Sequence, residues 1–200
     1  MIQESTITKL IASGILVLSL VACSDDNEDT PVQPNGNSAL NGTWSAGCVV
    51  DGDGDGEVDT FTISGDTFQV RNETFFNDAS CANARTVEIN TSGTFLIGAD
   101  VPLATGAAAS QVNINYQSAS VTYFGTNIIN NANSNQVCGI NNWVDGVSQD
   151  ATVCLELPAI SYDVFRLDGN TLYFGDDSGD GETPQTRPTG LDLDNPLTRR

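Results

Sequence analysis

The sequence contains no histidine and only one lysine, Lys9, against 26 aspartate and glutamate residues. Without an imidazole to move the proton, Ser-His-Asp and Cys-His nucleophile systems are excluded, and the usual ligand of catalytic zinc is missing. The formal net charge of −19 offers no clustered cations for phosphate groups. Nucleic acid is therefore excluded as a partner.

The sequence also lacks the motifs that carry common catalytic chemistry. It contains no G-x-S-x-G elbow, no G-x-x-x-x-G-K-[ST] phosphate loop and no G-x-G-x-x-G after a strand. Paired carboxylates remain compatible with glycosidase-type hydrolysis. In so acidic a chain some carboxylates always lie close together, so a close pair is not a specific sign of catalysis. We therefore expect a protein that is not an enzyme, with a carboxylate-dependent hydrolase as the least favoured alternative.

The N-terminal apolar run begins at Leu10 and covers about a dozen residues, fewer than the ~20 that a membrane span needs. With Lys9 ahead of it, residues 1–22 are typical of a signal peptide. The run ends in Leu20-Val21-Ala22-Cys23, which resembles the lipobox of bacterial lipoproteins. The alternative is an ordinary secretory signal in which Cys23 has no role.

The lipoprotein resemblance implies that Cys23 becomes the N-terminus and carries a diacylglyceryl thioether and an N-acyl chain such as palmitate. Two or more acyl chains hold a protein stably on a membrane. Ser24 after the cysteine favours the outer membrane of the cell envelope over the inner one. Residues 23–40 are acidic and contain Pro, Gly and Asn, which predicts a disordered tether.

Four further cysteines, an even number, predict two disulfides in an exported protein. They are Cys48, Cys81, Cys138 and Cys154. Three connectivities are possible, and we favour Cys48–Cys81 with Cys138–Cys154 because each closes a local loop. No pair has C-x-x-C spacing, so the cysteines are expected to be structural.

Residues 41–200 contain short runs of Val, Ile, Thr, Phe and Tyr between Gly, Asn and Asp residues, which predicts a single all-β domain with an extended C-terminal tail. About eight antiparallel strands suit an up-and-down barrel, which leaves no exposed edge; a β-sandwich is the alternative. A helix near 101–109 and a short element around 137–144 are weaker predictions. The expected strands are Thr43–Val50, Val58–Ser64, Thr67–Phe75, Thr86–Ile89, Thr94–Ile97, Gln111–Tyr116, Ser120–Phe124, Tyr162–Leu167 and Thr171–Phe174.

The start of this domain, Leu40-Asn41-Gly42-Thr43-Trp44, resembles the G-x-W first strand of lipocalins and lipocalin-like domains. The resemblance implies that Trp44 plugs the closed end of a barrel, under the cation of an arginine late in the chain. Arg187 and Arg166 are both candidates, and we predict Arg187 for the barrel-end packing. A barrel interior lined by aromatic residues is then expected, from Phe61, Phe68, Phe95, Tyr116, Phe124, Phe165 and Tyr173.

An acidic glycine-rich segment, residues 51–59, has the D-x-D-x-D-G spacing of a calcium loop. Asp51, Asp53 and Asp55 occupy places 1, 3 and 5, the Glu57 carbonyl occupies place 7, and Asp59 occupies place 9. Thr62 stands at place 12, so the segment is not an EF-hand. Residues 176–182 repeat the spacing as D-x-S-x-D-G. The spacing predicts Ca²⁺ as a cofactor, against the alternative that both segments are solvated turns.

Taken together, these patterns predict a membrane-anchored, non-catalytic binding or structural module of the cell envelope. Its expected ligand is a small apolar molecule inside the barrel. The alternative function is a calcium-dependent surface adhesion or interaction protein.

Overall fold

The computed structural model describes residues 37–200, so the predicted signal peptide, Cys23 and most of the tether lie outside the described residues. The predicted all-β barrel is confirmed: eight antiparallel strands close on themselves. The described strands are β1 (Gly42–Ser45), β2 (Val49–Val50), β3 (Gly56–Ser64), β4 (Thr67–Phe75), β5 (Val87–Pro102), β6 (Ala108–Tyr123), β7 (Gln149–Asp150), β8 (Ser161–Asp168), β9 (Thr171–Phe174) and β10 (Leu197–Arg199).

The barrel closes because β1 pairs with both its neighbours. The order around the barrel is β1-β10-β9-β8-β6-β5-β4-β3, and β3 then pairs with β1. Trp44 of β1 stands opposite Phe61 on one side and opposite Arg199 on the other. The two short strands lie outside this ring, since β2 adds to β3 and β7 adds to β6.

Tight turns fix the register of two hairpins that the sequence predicts. Gly65-Asp66 joins β3 to β4, and Phe61 and Ile63 face Val70 and Phe68 across the pair, as expected. Gly169-Asn170 joins β8 to β9 in the second hairpin, and Gly65 and Gly169 both have positive φ. A residue with positive φ in a two-residue turn matches the twist of the flanking strands.

β5 and β6 are each one long strand, whereas the sequence predicted two shorter strands in each place. The register shifts between Ser92 and Gly93, where a β-bulge leaves Gln117 of β6 unpaired, and again between Ile97 and Asp100, and the pairing continues across both. A Cβ atom on Gly93 would lie 2.0 Å from the carbonyl oxygen of Asn115, so the bulge requires glycine. The helix predicted near 101–109 is wrong, because these residues form the β5–β6 hairpin.

The remaining elements are short. A helical turn, Asn37–Leu40, precedes β1, and a helix, Thr126–Ser134, lies in the long connection between β6 and β8. Three-residue 3₁₀ turns occur at Val137–Gly139 and Pro184–Thr186. The sequence did not predict the helix Thr126–Ser134, because this segment is rich in asparagine, which favours turns over helices.

Because successive barrel strands are antiparallel, their connections alternate between the two ends. The short turns at 65–66, 103–107 and 169–170 share one end with residues 37–41, which we call the short-turn end. The connections 46–55, 76–86, 124–160 and 175–196 share the other, the long-loop end. The predicted disulfides Cys48–Cys81 and Cys138–Cys154 are confirmed, and both lie in these long connections.

The inward face of the barrel carries two apolar clusters. The cluster toward the short-turn end contains Trp44, Ile63, Phe68, Leu172 and their neighbours. At the long-loop end, Ile129 of the helix and Trp143 pack on Val87 of β5 and Val121 of β6. Register places Val87 and Val121 on the same face as Phe68, so the helix covers part of the barrel mouth.

Candidate functional site

Trp44 lies in β1, which starts at the short-turn end, and its side chain is fully buried. Its indole Nε1 donates to the carbonyl oxygen of Leu40 at 2.7 Å, which ties β1 to the preceding helical turn. The guanidinium of Arg199 lies over the indole, 4.2 Å from the ring centroid. Arg199 also donates to the carbonyl oxygens of Asn41 and Ala39, at 2.6 and 2.5 Å.

Arg199 therefore occupies the place over Trp44 that we predicted for Arg187. Arg187 instead donates to the backbone oxygens of Val112 and Asp163, at 2.6 and 2.7 Å, and stacks over Tyr162. It contacts neighbouring strands β6 and β8. Arg166, the other candidate, lies over Tyr173. Leu197–Arg199 is too short, and too near the terminus, for its pattern to predict a strand.

An apolar cavity of about 50 Å³ lies inside the barrel, above the closed end. Its walls come from β3, β4, β5, β6, β8, β9 and the helical turn. Five of the predicted aromatic residues line it, whereas Phe124 lies under Arg85 and Tyr173 under Arg166. The lining residues are Leu40, Phe61, Ile63, Phe68, Val70, Phe95, Val112, Ile114, Tyr116, Phe165, Leu172 and Phe174.

Aromatic side chains shape this cavity. The rings of Phe61 and Phe174 lie 5.4 Å apart between centroids, although their strands are not neighbours. The edge-to-face pair of Phe68 and Tyr116 has centroids 5.7 Å apart. Phe61, Tyr116 and Phe174 are only partly buried, whereas Phe68 is 7% exposed.

Polar side chains occupy the inward face next to the cavity, and we call Asp59, Asn72, Tyr116 and Asp163 the inner polar group. Asp59 and Asn72 stand two residues beyond the lining residues Phe61 and Val70, toward the long-loop end. Asp163 stands in the same relation to Phe165 on β8. Because side chains alternate along a strand, each shares a face with its lining neighbour.

Asp163 is held by backbone donors and influenced by nearby charges. Its Oδ1 accepts hydrogen bonds from Val164 N at 2.7 Å and Gly175 N at 3.1 Å. Burial raises the pKa of Asp163 to about 6, even though these hydrogen bonds and the charge of Arg187 lower it. The Asp163 carboxyl therefore changes charge around pH 6.

The other inner polar groups are also shielded from water. Asn72, which is 1% exposed, donates from Nδ2 to Asp59 Oδ1 at 2.9 Å. Burial raises the pKa of Asp59, and this hydrogen bond offsets only part of the effect. Burial and the charge of Asp163 raise the pKa of Tyr116 to about 12. Tyr116 itself is only partly buried, and its hydroxyl is not among the buried side-chain atoms that lack a hydrogen-bond partner within residues 37–200.

The sequence placed Asp59 in a calcium site and missed the roles of Asn72 and Asp163. A usable signal was present, since Asp59 precedes Phe61 and Ile63 at alternate positions, and Asp163 precedes Phe165 and Leu167 likewise. An acid on the apolar face of an alternating strand indicates a buried carboxylate.

The structure divides the predicted calcium ligands between a turn and a strand. Asp51 Oδ1 accepts from the backbone N–H groups of Asp53 and Asp55, at 3.0 and 2.9 Å. Asp55 Oδ1 accepts from Asn77 N at 2.6 Å. Glu57 and Asp59 belong to β3, where Glu57 is buried and Asp59 is partly buried.

The second acidic segment forms comparable turns, in which Asp176 Oδ1 accepts from Ser178 and Asp180 Oδ1 accepts from Glu182 N. Within residues 37–200, no group of three His, Cys, Asp or Glu side chains is placed to hold a metal ion. Calcium binding stays a prediction.

Neither the protein-family models nor the curated proteins include a match to this chain. Across residues 37–200, none of the helices has the length and apolar character needed to cross a membrane.

Proposed function

We propose that this protein is a lipid-anchored, non-catalytic binding module of the bacterial cell envelope that holds a small apolar ligand in its barrel. The apolar cavity inside the barrel carries the proposal, and its walls belong to the same buried cluster as Trp44. Apolar cavities of this kind stay dry and take up apolar molecules. The ligand enters from the long-loop end, beside the helix that partly covers the mouth.

The cavity volume limits the ligand. About 50 Å³ is well below the roughly 300–1,000 Å³ of ordinary small-molecule pockets. A slender aliphatic chain therefore suits the cavity better than a fused-ring compound, and its binding displaces the partly buried rings of Phe61 and Phe174.

The test is displacement of an apolar fluorescent probe by aliphatic compounds, using the full chain with Cys23→Ser and both disulfides intact. Val70→Phe fills the cavity and should weaken binding at least about tenfold, because the chain and the new ring compete for one volume. Gln69→Phe places the same ring on the outer face and should bind as the unaltered protein does. Failure of the unaltered protein to bind any aliphatic compound would contradict the proposal.

The anchor is tested separately. Labelled palmitate should enter the protein in bacterial cells and fractionate with the outer membrane, and Cys23→Ser should abolish both. An unlabelled protein that is secreted in soluble form would contradict the anchor and leave the ligand proposal standing.

A calcium-dependent adhesion protein is the second candidate, because exposed aliphatic residues gather at the long-loop end. Of the exposed large hydrophobic residues within 37–200, all but Leu96 lie in its connections. These are Val49, Val50, Val144, Val147, Val153, Ile160 and Leu193.

If the first acidic loop binds Ca²⁺ near the millimolar range, calcium at ten times Kd should stabilise the fold by about 1.4 kcal/mol. Thermal unfolding with calcium or a chelator measures this. The Asp53→Asn, Asp55→Asn double variant should lose the effect, whereas Asp66→Asn, in an exposed turn, should keep it. An unfolding temperature that calcium leaves unchanged would count against the site.

A further inference from the structure

A groove at the long-loop end, separate from the apolar cavity, lies between two of the long connections, and we call it the loop groove. It is lined on one side by residues 156 and 158–162, where the connection 124–160 enters β8, and on the other by residues 180–182 of the connection 175–196. Tyr162 N donates to the Gly181 carbonyl oxygen at 2.8 Å, which joins the two sides. The groove has a volume of about 480 Å³, within the roughly 300–1,000 Å³ of ordinary binding pockets.

Part of the groove surface is apolar and open to solvent. Ile160 is 43% exposed, and Pro158 and Ala159 lie beside it in the lining. Exposed apolar residues that line a concave surface lose contact with water when a partner fills it. This part of the groove therefore favours an occupant with an aliphatic side chain.

The backbone next to this apolar surface is unpaired. Residues 157–160 belong to no helix or strand, and within the described part of the chain they form no hydrogen bond to another backbone group. Regular pairing begins only at the next residue, where Ser161 of β8 stands opposite Ile114 of β6. An extended peptide can therefore form backbone hydrogen bonds along residues 157–160.

The charge around the groove selects the sign of the occupant. Glu156, Asp180 and Glu182 are exposed lining residues, and none of the three forms an ion pair within residues 37–200. Arg187 stacks over the lining residue Tyr162, but its Nη groups donate to oxygen atoms of β6 and β8. Three carboxylates favour a basic occupant. They disfavour a second copy of this chain, which has the same net charge of −19.

We infer that the loop groove binds an extended, basic segment of a partner protein. The segment pairs with the backbone of residues 157–160, places an aliphatic side chain on Ile160 and directs Lys or Arg side chains to the three carboxylates. In this mode of recognition, backbone hydrogen bonds give affinity and the alternating side chains give specificity. The inference goes beyond the proposed function, because the groove does not share lining residues with the barrel cavity.

The test measures the binding of fluorescent peptides with blocked ends by anisotropy, to the full chain with Cys23→Ser and intact disulfides. The probe is Lys-Val-Lys-Val-Lys, and Glu-Val-Glu-Val-Glu and Lys-Ser-Lys-Ser-Lys are the comparison peptides. In about 150 mM NaCl, which screens general attraction to the acidic surface, the probe should bind at least about tenfold more tightly than either. A probe methylated on every backbone nitrogen should bind at least about fivefold more weakly, because it cannot donate backbone hydrogen bonds.

The apolar contact is tested with two matched variants. Ile160→Ser should weaken binding of the probe about threefold or more, because it removes the aliphatic surface of the groove. Leu96→Ser is the control, since Leu96 is also 43% exposed but lies in β5, outside the long-loop end. It should leave the affinity unchanged.

The charge contact is tested with two double variants that remove the same number of charges. Glu156→Gln with Glu182→Gln should weaken binding of the probe at least about fivefold. Asp66→Asn with Asp168→Asn removes two exposed charges beside the short turns, and its effect should stay below about twofold. This control separates recognition in the groove from the attraction of any cation to the whole molecule.

Several results would overturn the inference: no binding of the probe up to about 1 mM, equal affinities for the three peptides, or equal effects of groove and control variants. Displacement of an apolar fluorescent compound from the barrel by the probe would overturn it too. The proposed function would survive each of the first three, since aliphatic compounds test it separately. If a variant fails to fold, hydrogen exchange on the unaltered protein decides, because the bound probe should slow exchange at the Ala159 or Ile160 amide.

Discussion

At the scale of single residues, Arg199 joins three parts of the short-turn end that are distant in the sequence. Its guanidinium covers Trp44 of β1 and binds the carbonyl oxygens of Ala39 and Asn41 from the N-terminal segment, while its backbone lies in β10. A cation over an indole contributes about 0.5–2 kcal/mol, and the two hydrogen bonds add to it.

Arg199→Ala should therefore lower the free energy of unfolding by about 1–2 kcal/mol, mainly through the lost ring contact, because water can replace the guanidinium at the two exposed carbonyls. Urea unfolding measures the change. Arg71→Ala removes an exposed arginine that pairs with Glu73 at 3.5 Å, and it should cost less than about 0.5 kcal/mol. Equal effects of the two variants would show that the Arg199 contacts stabilise the fold no more than the exposed Arg71–Glu73 ion pair does.

Asp163 makes stability depend on pH. Its pKa of about 6 lies above that of an unfolded aspartate, so between pH 4 and 6 the folded state binds more protons than the unfolded state. This contribution is fully present below about pH 4 and is lost as pH rises through about 6.

Asp163→Asn should remove this contribution, so its unfolding free energy should fall less between pH 4 and 6, by about 2 kcal/mol. Urea unfolding at half-unit pH intervals measures both proteins. Asp59, whose pKa is raised too, and Asp78, whose pKa is lowered to about 2, titrate equally in both proteins and cancel in the difference. Parallel pH profiles would show that Asp163 titrates normally.

At the scale of elements, the bulge at Gly93 lets β5 and β6 run through sixteen residues each. Gly93→Ala should destabilise the protein by about 2 kcal/mol or more, because its Cβ would lie 2.0 Å from the Asn115 oxygen and both strands would have to shift. Gly47→Ala, at an exposed position with nothing within 4 Å, is the control and should change stability by less than about 0.5 kcal/mol. A tolerated Gly93→Ala would mean that the bulge relaxes easily.

The hairpins were predictable because their turns and alternating faces are local signals. Thr67–Phe75, Thr171–Phe174 and their partners follow directly from Gly65-Asp66 and Gly169-Asn170. The continuity of β5 and the strand β10 were not predictable, since both depend on pairing with residues far away in the sequence. The same reason explains why Arg199, and not Arg187, lies over Trp44.

The candidate site was predictable in part. Phe61, Phe68, Phe95, Tyr116 and Phe165 were expected inside a barrel, and they line the cavity. The alternation of their strands places Asp59 and Asp163 on the apolar face, but the contacts of Asp59 with Asn72 and of Asp163 with Arg187 join different segments and could not be predicted. The spacing of the acidic loop predicted Asp59 as a calcium ligand, whereas its position in β3 places it beside Asn72.

At the scale of the whole molecule, the two disulfides secure different long loops. Cys48–Cys81 spans 33 residues and Cys138–Cys154 spans 16 residues. Replacing each pair with serine should cost ~3.7 and ~3.1 kcal/mol respectively, by the chain-entropy estimate. Denaturant unfolding of the two double variants measures this. A loss below about 1 kcal/mol for either pair would show that its loop is equally ordered without the crosslink.

The pairing of β1 with β10 also sets the order of events during synthesis. One side of the first barrel strand, β1, stays unpaired until β10, Leu197–Arg199, has been synthesised. Until then the nascent sheet presents a free edge that another chain can pair with. A product that stops before Leu197 therefore contains the cavity lining and all four disulfide cysteines but lacks the strand that closes the barrel.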